Sequence, residues 1–184
     1  ELKSAIRKYR ARAGSVIVID VETGEVLAMV NQPSFNPNDR AQYEVGRYRN
    51  RAATDIFEPG SSIKPFIVAA ALSSGRFRTD SMIDTTPIKV GIKTIQDKHD
   101  LGVIDLGQVL ARSSNVGMAK IALALEPEDL HSTLRALGFG EVTASGFPGE
   151  SAGLLSSAAH WRPIGIATMS YGYGISVSLL QLAR

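Results

Sequence analysis

The 184-residue sequence carries 20 Lys and Arg against 18 Asp and Glu, a net charge of +2, with 44% hydrophobic and 21% charged residues. Its length sets a prior of one domain, its apolar fraction is enough for a core, and so small a charge gives no electrostatic case for a nucleic-acid partner. The absence of cysteine excludes disulfides and thiolate metal sites and suits an oxidising compartment.

Residues 1–12 have helical spacing, with Leu2, Ile6 and Tyr9 on one side. Ser15–Val21 and Val26–Val30 are apolar runs around a short turn containing Gly24, which predicts an antiparallel hairpin. Both runs are nearly continuous, so the hairpin is expected to be covered on both faces. The stretch from Gln32 to Arg51 is polar and rich in turn residues, and reads as a loop. The basic clusters Lys3–Arg12 and Arg47–Arg51 read as solvated faces.

A helix is predicted from Ser62 to Ser74, closed by Gly75 at the position after the cap. Pro65 fixes its start, because deeper in a helix proline loses a hydrogen bond and collides with the carbonyl four residues earlier, here that of Ser61. Ile83–Ile95 reads as a small strand pair around Gly91. Asp105 caps a short helix through Ala111, Val116–Leu125 is an apolar, buried helix, and Glu128–Leu137 is an amphipathic one ending at Gly138. Phe139–Gly153 is loop, Tyr171–Gly174 is a strand or turn packed on the core, and Ser178 caps a last helix from Leu179. Two strands and several helices make the class α+β.

The chemistry concentrates in Glu58-Pro59-Gly60-Ser61-Ser62-Ile63-Lys64-Pro65. Side chains three apart meet on a helix surface, and a serine hydroxyl becomes a nucleophile when a base such as a desolvated lysine takes its proton. Ser-x-x-Lys alone occurs about once by chance in a chain of this size, but with Glu-Pro-Gly before it and Pro after it the expectation drops to on the order of 10⁻⁵. The competing reading makes Ser61 a helix cap and Lys64 a solvated first-turn residue. A cation is disfavoured there by the helix dipole, which argues for a use. Ser113-Ser114-Asn115, between two short helices, is the second candidate. It also reads as a cap.

Together with Arg49-Asn50-Arg51, Asp55-Ile56-Phe57, Val26–Met29, Phe35–Asn38, Tyr171–Gly174 and Leu180–Arg184, these motifs resemble the class B penicillin-binding proteins, in particular their cell-division transpeptidases. The resemblance spans nearly the whole chain. It implies the serine transpeptidase (β-lactamase-like) fold, an antiparallel sheet with helices on both faces, of which residues 1–184 would be the N-terminal part of one domain. It implies that Ser61 attacks the D-alanyl-D-alanine carbonyl of a peptidoglycan stem peptide and Lys64 takes its proton. Ser113 relays a proton to the departing D-alanine, Asn115 binds the donor peptide's amide, and the Ser61 N–H supplies half an oxyanion hole. A neighbouring amine then resolves the acyl-enzyme into a crosslink, and β-lactams acylate Ser61 without efficient release. Glu58 and Tyr173 are expected near the cleft. No cofactor is implied. The setting implied is the periplasmic face of the bacterial inner membrane at the division site, with division-complex proteins as partners.

Two departures stand out. Ser62 replaces the family's usual threonine and keeps the hydroxyl. The third family motif, Lys-Thr/Ser-Gly, does not occur after Ser113, and Lys93-Thr94-Ile95 lacks its glycine. The chain opens at Glu1 and has no stretch near the roughly 18 apolar residues of a membrane span, so it is expected to be a piece of a longer protein with any anchor elsewhere. Taken alone it is expected to be inactive or nearly so. A D,D-carboxypeptidase or β-lactamase is the rival enzyme, with Glu150 as the only candidate base for water. A silent binding or assembly fragment is the rival of another class. His99, His131 and His160 lack metal-ligand spacing, and Gly138-Phe139-Gly140 is no phosphate loop.

Overall fold

The computed structural model describes residues 1–39 and 45–184. In chain order the first elements are α1 (Leu2–Tyr9), β1 (Gly14–Ile19), β2 (Val26–Gln32), α2 (Val45–Tyr48), α3 (Arg51–Thr54), β3 (Ile56–Phe57) and α4 (Lys64–Ser73). There follow β4 (Met82–Asp84), β5 (Ile88–Val90), β6 (Lys93–Ile95), β7 (Val103–Asp105), α5 (Leu106–Ala111), α6 (Asn115–Leu123), α7 (Pro127–Ala136), α8 (Pro163–Met169), β8 (Val177–Ser178) and α9 (Leu179–Ala183). The elements fall into two compact units, Glu1–Phe57 with Glu141–Gly153 and Val177–Arg184, and Glu58–Gly140 with Leu154–Ser176.

In the first unit β1 and β2 form the predicted antiparallel hairpin, with Val16 opposite Val30, Ile17 opposite Met29 and a slip at Val18/Ile19. Asp20 makes the turn, its carboxylate accepting the Glu22 and Thr23 N–H groups at 3.0 and 2.8 Å. Leu2 and Ile6 of α1 reach the hairpin at Gly14, where an added Cβ would meet them at 3.2 and 3.0 Å. Tyr9 does not join them. It is 72% exposed, because the chain reverses at Arg10 (φ 51°) before its ring meets the hairpin. The hairpin is covered unequally: α3 lies on the face of Asn31, which accepts the Ala52 N–H, and α1 reaches the other face at Gly14, where Val16, Val18 and Val30 stay partly exposed.

The predicted loop at 32–51 contains α2 and leads into α3, and its residues 40–44 lie outside the described ones. Arg49 and Arg51 are not merely solvated, since both pair with Asp55 at 2.6 and 2.8 Å. The final helix is capped as expected. The Ser178 hydroxyl accepts the Gln181 N–H while the Gln181 side chain returns to the Ser178 N–H. The same Gln181 amide holds the irregular 141–153 segment through the Glu141 and Ala152 carbonyls.

In the second unit α6 is buried nearly all round and packs against α8, with Val90, Ile95, Val116, Ala119 and Ala167 at the centre of one core cluster. No predicted element corresponds to α8: it is seven residues long and interrupted by Gly165, too short for a periodic signal. The strand pair expected over Ile83–Ile95 divides between two pairings. β5 and β6 flank Gly91 as expected, but Ile83 belongs to β4, which pairs with the distant β7. Asp105 caps α5 by accepting the Gln108 N–H, and Gly75 follows α4 with φ 69°.

Candidate active site

The Ser-x-x-Lys segment does not begin as an α-helix. Gly60–Ile63 is a 3-10 turn that passes into α4 at Lys64. The tighter turn suits the pair, because three residues per turn stack positions i and i+3 directly above one another. Pro65 sits just inside α4, where no N–H is needed, and the Ser61 carbonyl accepts the Lys64 N–H. Ser61 is thereby left at the surface while Lys64, three residues on, is 1% exposed.

The opposing wall comes from the junction of α5 and α6. The Ser113 N–H bonds the Leu110 carbonyl and the Ser114 N–H bonds that of Val109, both at 3.0 Å. This is a Schellman ending, whose residue after the cap must be left-handed and is usually glycine. Here that residue is Ser113, with φ 54°. A side chain retained where glycine is favoured points to a use for its hydroxyl. Ser114 then caps α6, its hydroxyl accepting the Gly117 N–H at 2.8 Å. The cap and the candidate catalytic group are thus neighbouring residues.

Lys64 Nζ lies 2.6 Å from the Ser113 carbonyl, 2.9 Å from Ser113 Oγ and 2.7 Å from Asn115 Oδ1. Ser113 Oγ in turn lies 3.1 Å from Ser61 Oγ. Four groups predicted from two motifs therefore meet, but Lys64 is not the direct partner of Ser61: its hydrogen bond runs to Ser113, which in turn bonds Ser61. Burial drives the lysine pKa down from 10.5 to about 8, against the opposing pull of the Asp97 carboxylate. The position of Lys64 at the start of α4 acts in the same direction as burial.

A proton count gives this geometry its direction. A neutral amine has two hydrogens and one lone pair. The Ser113 carbonyl and the Asn115 amide oxygen can only accept, so they take both hydrogens. The lone pair is left facing Ser113 Oγ, the one partner able to donate. Ser61, Ser113 and Lys64 then form a line along which a proton can move from the first to the third.

Glu58 does not contact these groups. Its carboxylate accepts the Gly174 N–H at 2.9 Å and so ties the Tyr171–Gly174 turn to the segment before Ser61. Gly60 donates to the Gly172 carbonyl at 3.3 Å in the same region. Tyr171 is half-buried against the core cluster, and Tyr173 is 54% exposed, its ring edge-on to that of Tyr171. Glu150 is engaged elsewhere. Its two oxygens accept the Thr143 N–H at 2.5 Å and the Ser145 hydroxyl at 2.7 Å. Burial pushes its pKa up, but these bonds outweigh it and hold the carboxyl below its usual range. Among the described residues no three His, Asp or Glu are grouped to hold a metal, and no helix is long and apolar enough to cross a membrane.

The strain at Ser113 makes a prediction. Ser113→Gly is expected to stabilise the fold by up to about 1 kcal/mol, since glycine adopts this conformation without a Cβ clash. The same change removes the hydroxyl that links Ser61 to Lys64 and should slow acylation of Ser61. Thermal melts and acylation rates of the same preparation test both halves.

The family model for the penicillin binding protein transpeptidase domain matches residues 14–184. Over all 184 residues the chain is 46% identical to the probable peptidoglycan D,D-transpeptidase PenA of Neisseria flavescens and covers 46% of that protein. It is 43% identical to the peptidoglycan D,D-transpeptidase FtsI of Escherichia coli strain K12 and covers 31% of it. Among solved structures, the transpeptidase domain of Burkholderia pseudomallei penicillin-binding protein 3 superposes with a TM-score of 0.88 at 43% identity, over 100% of this chain and 51% of that one. The chain thus spans less than half the length of these curated relatives.

Proposed function

This chain belongs to the penicillin binding protein transpeptidase domain family, and on that ground we propose that it is part of a peptidoglycan D,D-transpeptidase in which Ser61 is the acylated nucleophile. The observation that carries the reading is the line from exposed Ser61 through Ser113 to buried Lys64. With Lys64 neutral, the Ser61 proton passes to Ser113 Oγ as the Ser113 proton passes to Lys64 Nζ. Ser61 Oγ bonds the carbonyl carbon of the penultimate D-alanine. The C–N bond to the terminal D-alanine breaks, and its nitrogen takes a proton from Ser113 Oγ, which is reprotonated by Lys64, Ser61 Oγ now being the ester oxygen. An amine of a second stem peptide then attacks the ester carbonyl and gives a proton to Lys64 through Ser113. The C–O bond to Ser61 breaks, Ser61 Oγ takes a proton back along the line, and an amide crosslink is left.

Asn115 serves two needs in this scheme: its amide oxygen fixes Lys64, which leaves its amide nitrogen for the donor peptide. Glu58 acts through the Gly174 backbone, and Tyr173 is the exposed ring available to a bound substrate. The two compact units are parts of one transpeptidase domain. The whole protein works at the periplasmic face of the inner membrane, anchored by a segment outside residues 1–184, and joins division-complex proteins at the septum. A hydrolase needs a second base for water, and Glu150, with both oxygens bonded and a depressed pKa, is poorly suited to be one.

Incubating the full-length protein with a fluorescent penicillin is expected to give a persistent adduct whose tryptic mass maps to the Ser61 peptide. Label on another residue would remove Ser61 from its role. Rapid turnover of the penicillin to its hydrolysis product would favour the hydrolase.

A further inference from the structure

Asp97 carries none of the roles above, yet it is the carboxylate on which the Ser113–Asn115 wall rests. It follows β6 in the charged stretch Gln96–Asp100 and is half-buried. Its Oδ2 accepts the Ser114 hydroxyl at 2.5 Å, and its Oδ1 accepts the Asn115 N–H at 2.5 Å and the Val116 N–H at 3.3 Å. These N–H groups begin α6 and have no partner within the helix. Three bonds from one side chain thus fix the residues on both sides of the Ser114–Asn115 peptide, directly after left-handed Ser113.

We propose that Asp97 is a positioning residue for the proton line, holding Ser113 and Asn115 at their distances from Lys64 and placing a negative charge beside the lysine. The inference rests on the acyl-transfer reading of Ser61 and extends it. Charge-assisted bonds are about twice as strong as neutral ones, which suits a carboxylate set against a strained residue. The charge has a second effect, because it opposes the burial that lowers the Lys64 pKa. Other charges lie on the elements packed around α4: Arg112 at the end of α5, Lys120 in α6, which bonds Asp84, and Glu128, Asp129, His131 and Arg135 on α7. Lys98 and His99 follow Asp97 in the chain. Of all these groups Asp97 is the one whose charge acts on Lys64.

The test uses the full-length protein and a chromogenic cephalosporin, following the acylation rate constant from pH 6 to 10. Asp97→Ala is expected to lower that constant about 100-fold, the scale on which an ångström of misplacement acts. Asp97→Asn keeps the shape and two of the acceptor contacts but removes the charge. Its rate profile is expected to move to lower pH than that of the wild type, because the lysine loses the carboxylate that favours its ammonium. A plain helix cap would lower the melting temperature without moving that profile. Asp97→Asn with unchanged midpoint and plateau overturns the proposal, even if its melting temperature drops. If the wild type is acylated at Ser61 while both variants behave like it, this inference fails and the acyl-transfer reading stands. Wild-type protein that is not acylated at Ser61 removes both.

Discussion

Lys64→Met is expected to slow acylation of Ser61 by a penicillin about 10⁴-fold or more, the scale on which removing a single member of a catalytic set acts in serine enzymes. The side chain is 1% exposed and its pKa stands at about 8. About one molecule in eleven then has a neutral base at pH 7, against roughly one in 3,000 at the ordinary lysine value. The wild-type rate should therefore rise about tenfold from pH 7 to a plateau above pH 9, and the variant's residual rate should be flat. Methionine fills similar volume without a charge, so the fold survives the change.

Stability gives an independent check. The folded lysine has a lower pKa than the unfolded one, so between pH 8 and 10.5 the unfolded chain holds more protons and stability rises with pH. Below pH 8 the buried ammonium costs the fold about 3 kcal/mol, taking about 1.4 kcal/mol per pKa unit. Comparing wild type with Lys64→Met isolates this group from every other titration. The wild type should gain on the variant through that window. A difference that is constant in pH, or a variant acylated within tenfold of the wild-type rate, would reject Lys64 as the base.

The two motifs are legible because each breaks a local rule visible in one dimension. Lysine stands at a helix start, where cations are disfavoured, and Pro65 places that start within two residues of the expected Ser62. The caps at Asp105 and Ser178 depend only on short-range hydrogen bonds, and those helices begin where expected. What depends on distant partners is not legible. The pairing of β4 with β7 joins segments some twenty residues apart, and nothing in either run announces it. In the sequence Asp97 is one charge in a polar loop, since its role exists only once α6 is brought against it. The 3-10 form of the Ser61 turn and the left-handed Ser113 likewise follow from packing, not from residue type.

Gly172→Ala is expected to disable the site without touching any of its reacting groups. A Cβ at Gly172 would stand 2.1 Å from the Gly60 carbonyl oxygen, 2.3 Å from its nitrogen and 2.4 Å from its carbonyl carbon. Those atoms are backbone and cannot rotate aside. Gly172 also has φ 93°, a conformation in which any Cβ is strained. Overpacking costs typically 1–3 kcal/mol and the strained backbone about 1–2 more, so a loss of about 3 kcal/mol is expected. Gly60 immediately precedes Ser61, and relief of the clash must push the 3-10 turn away from the Tyr171–Gly174 segment. A shift near 1 Å in the Ser61 hydroxyl takes it out of reach of Ser113 and should lower the acylation rate about 100-fold. Gly165→Ala is the matched control. It lies inside α8 with nothing within 4 Å of the added Cβ, and alanine there should stabilise the helix by up to about 1 kcal/mol. If Gly172→Ala melts and acylates like Gly165→Ala, the close approach of the two backbones does not set the position of Ser61.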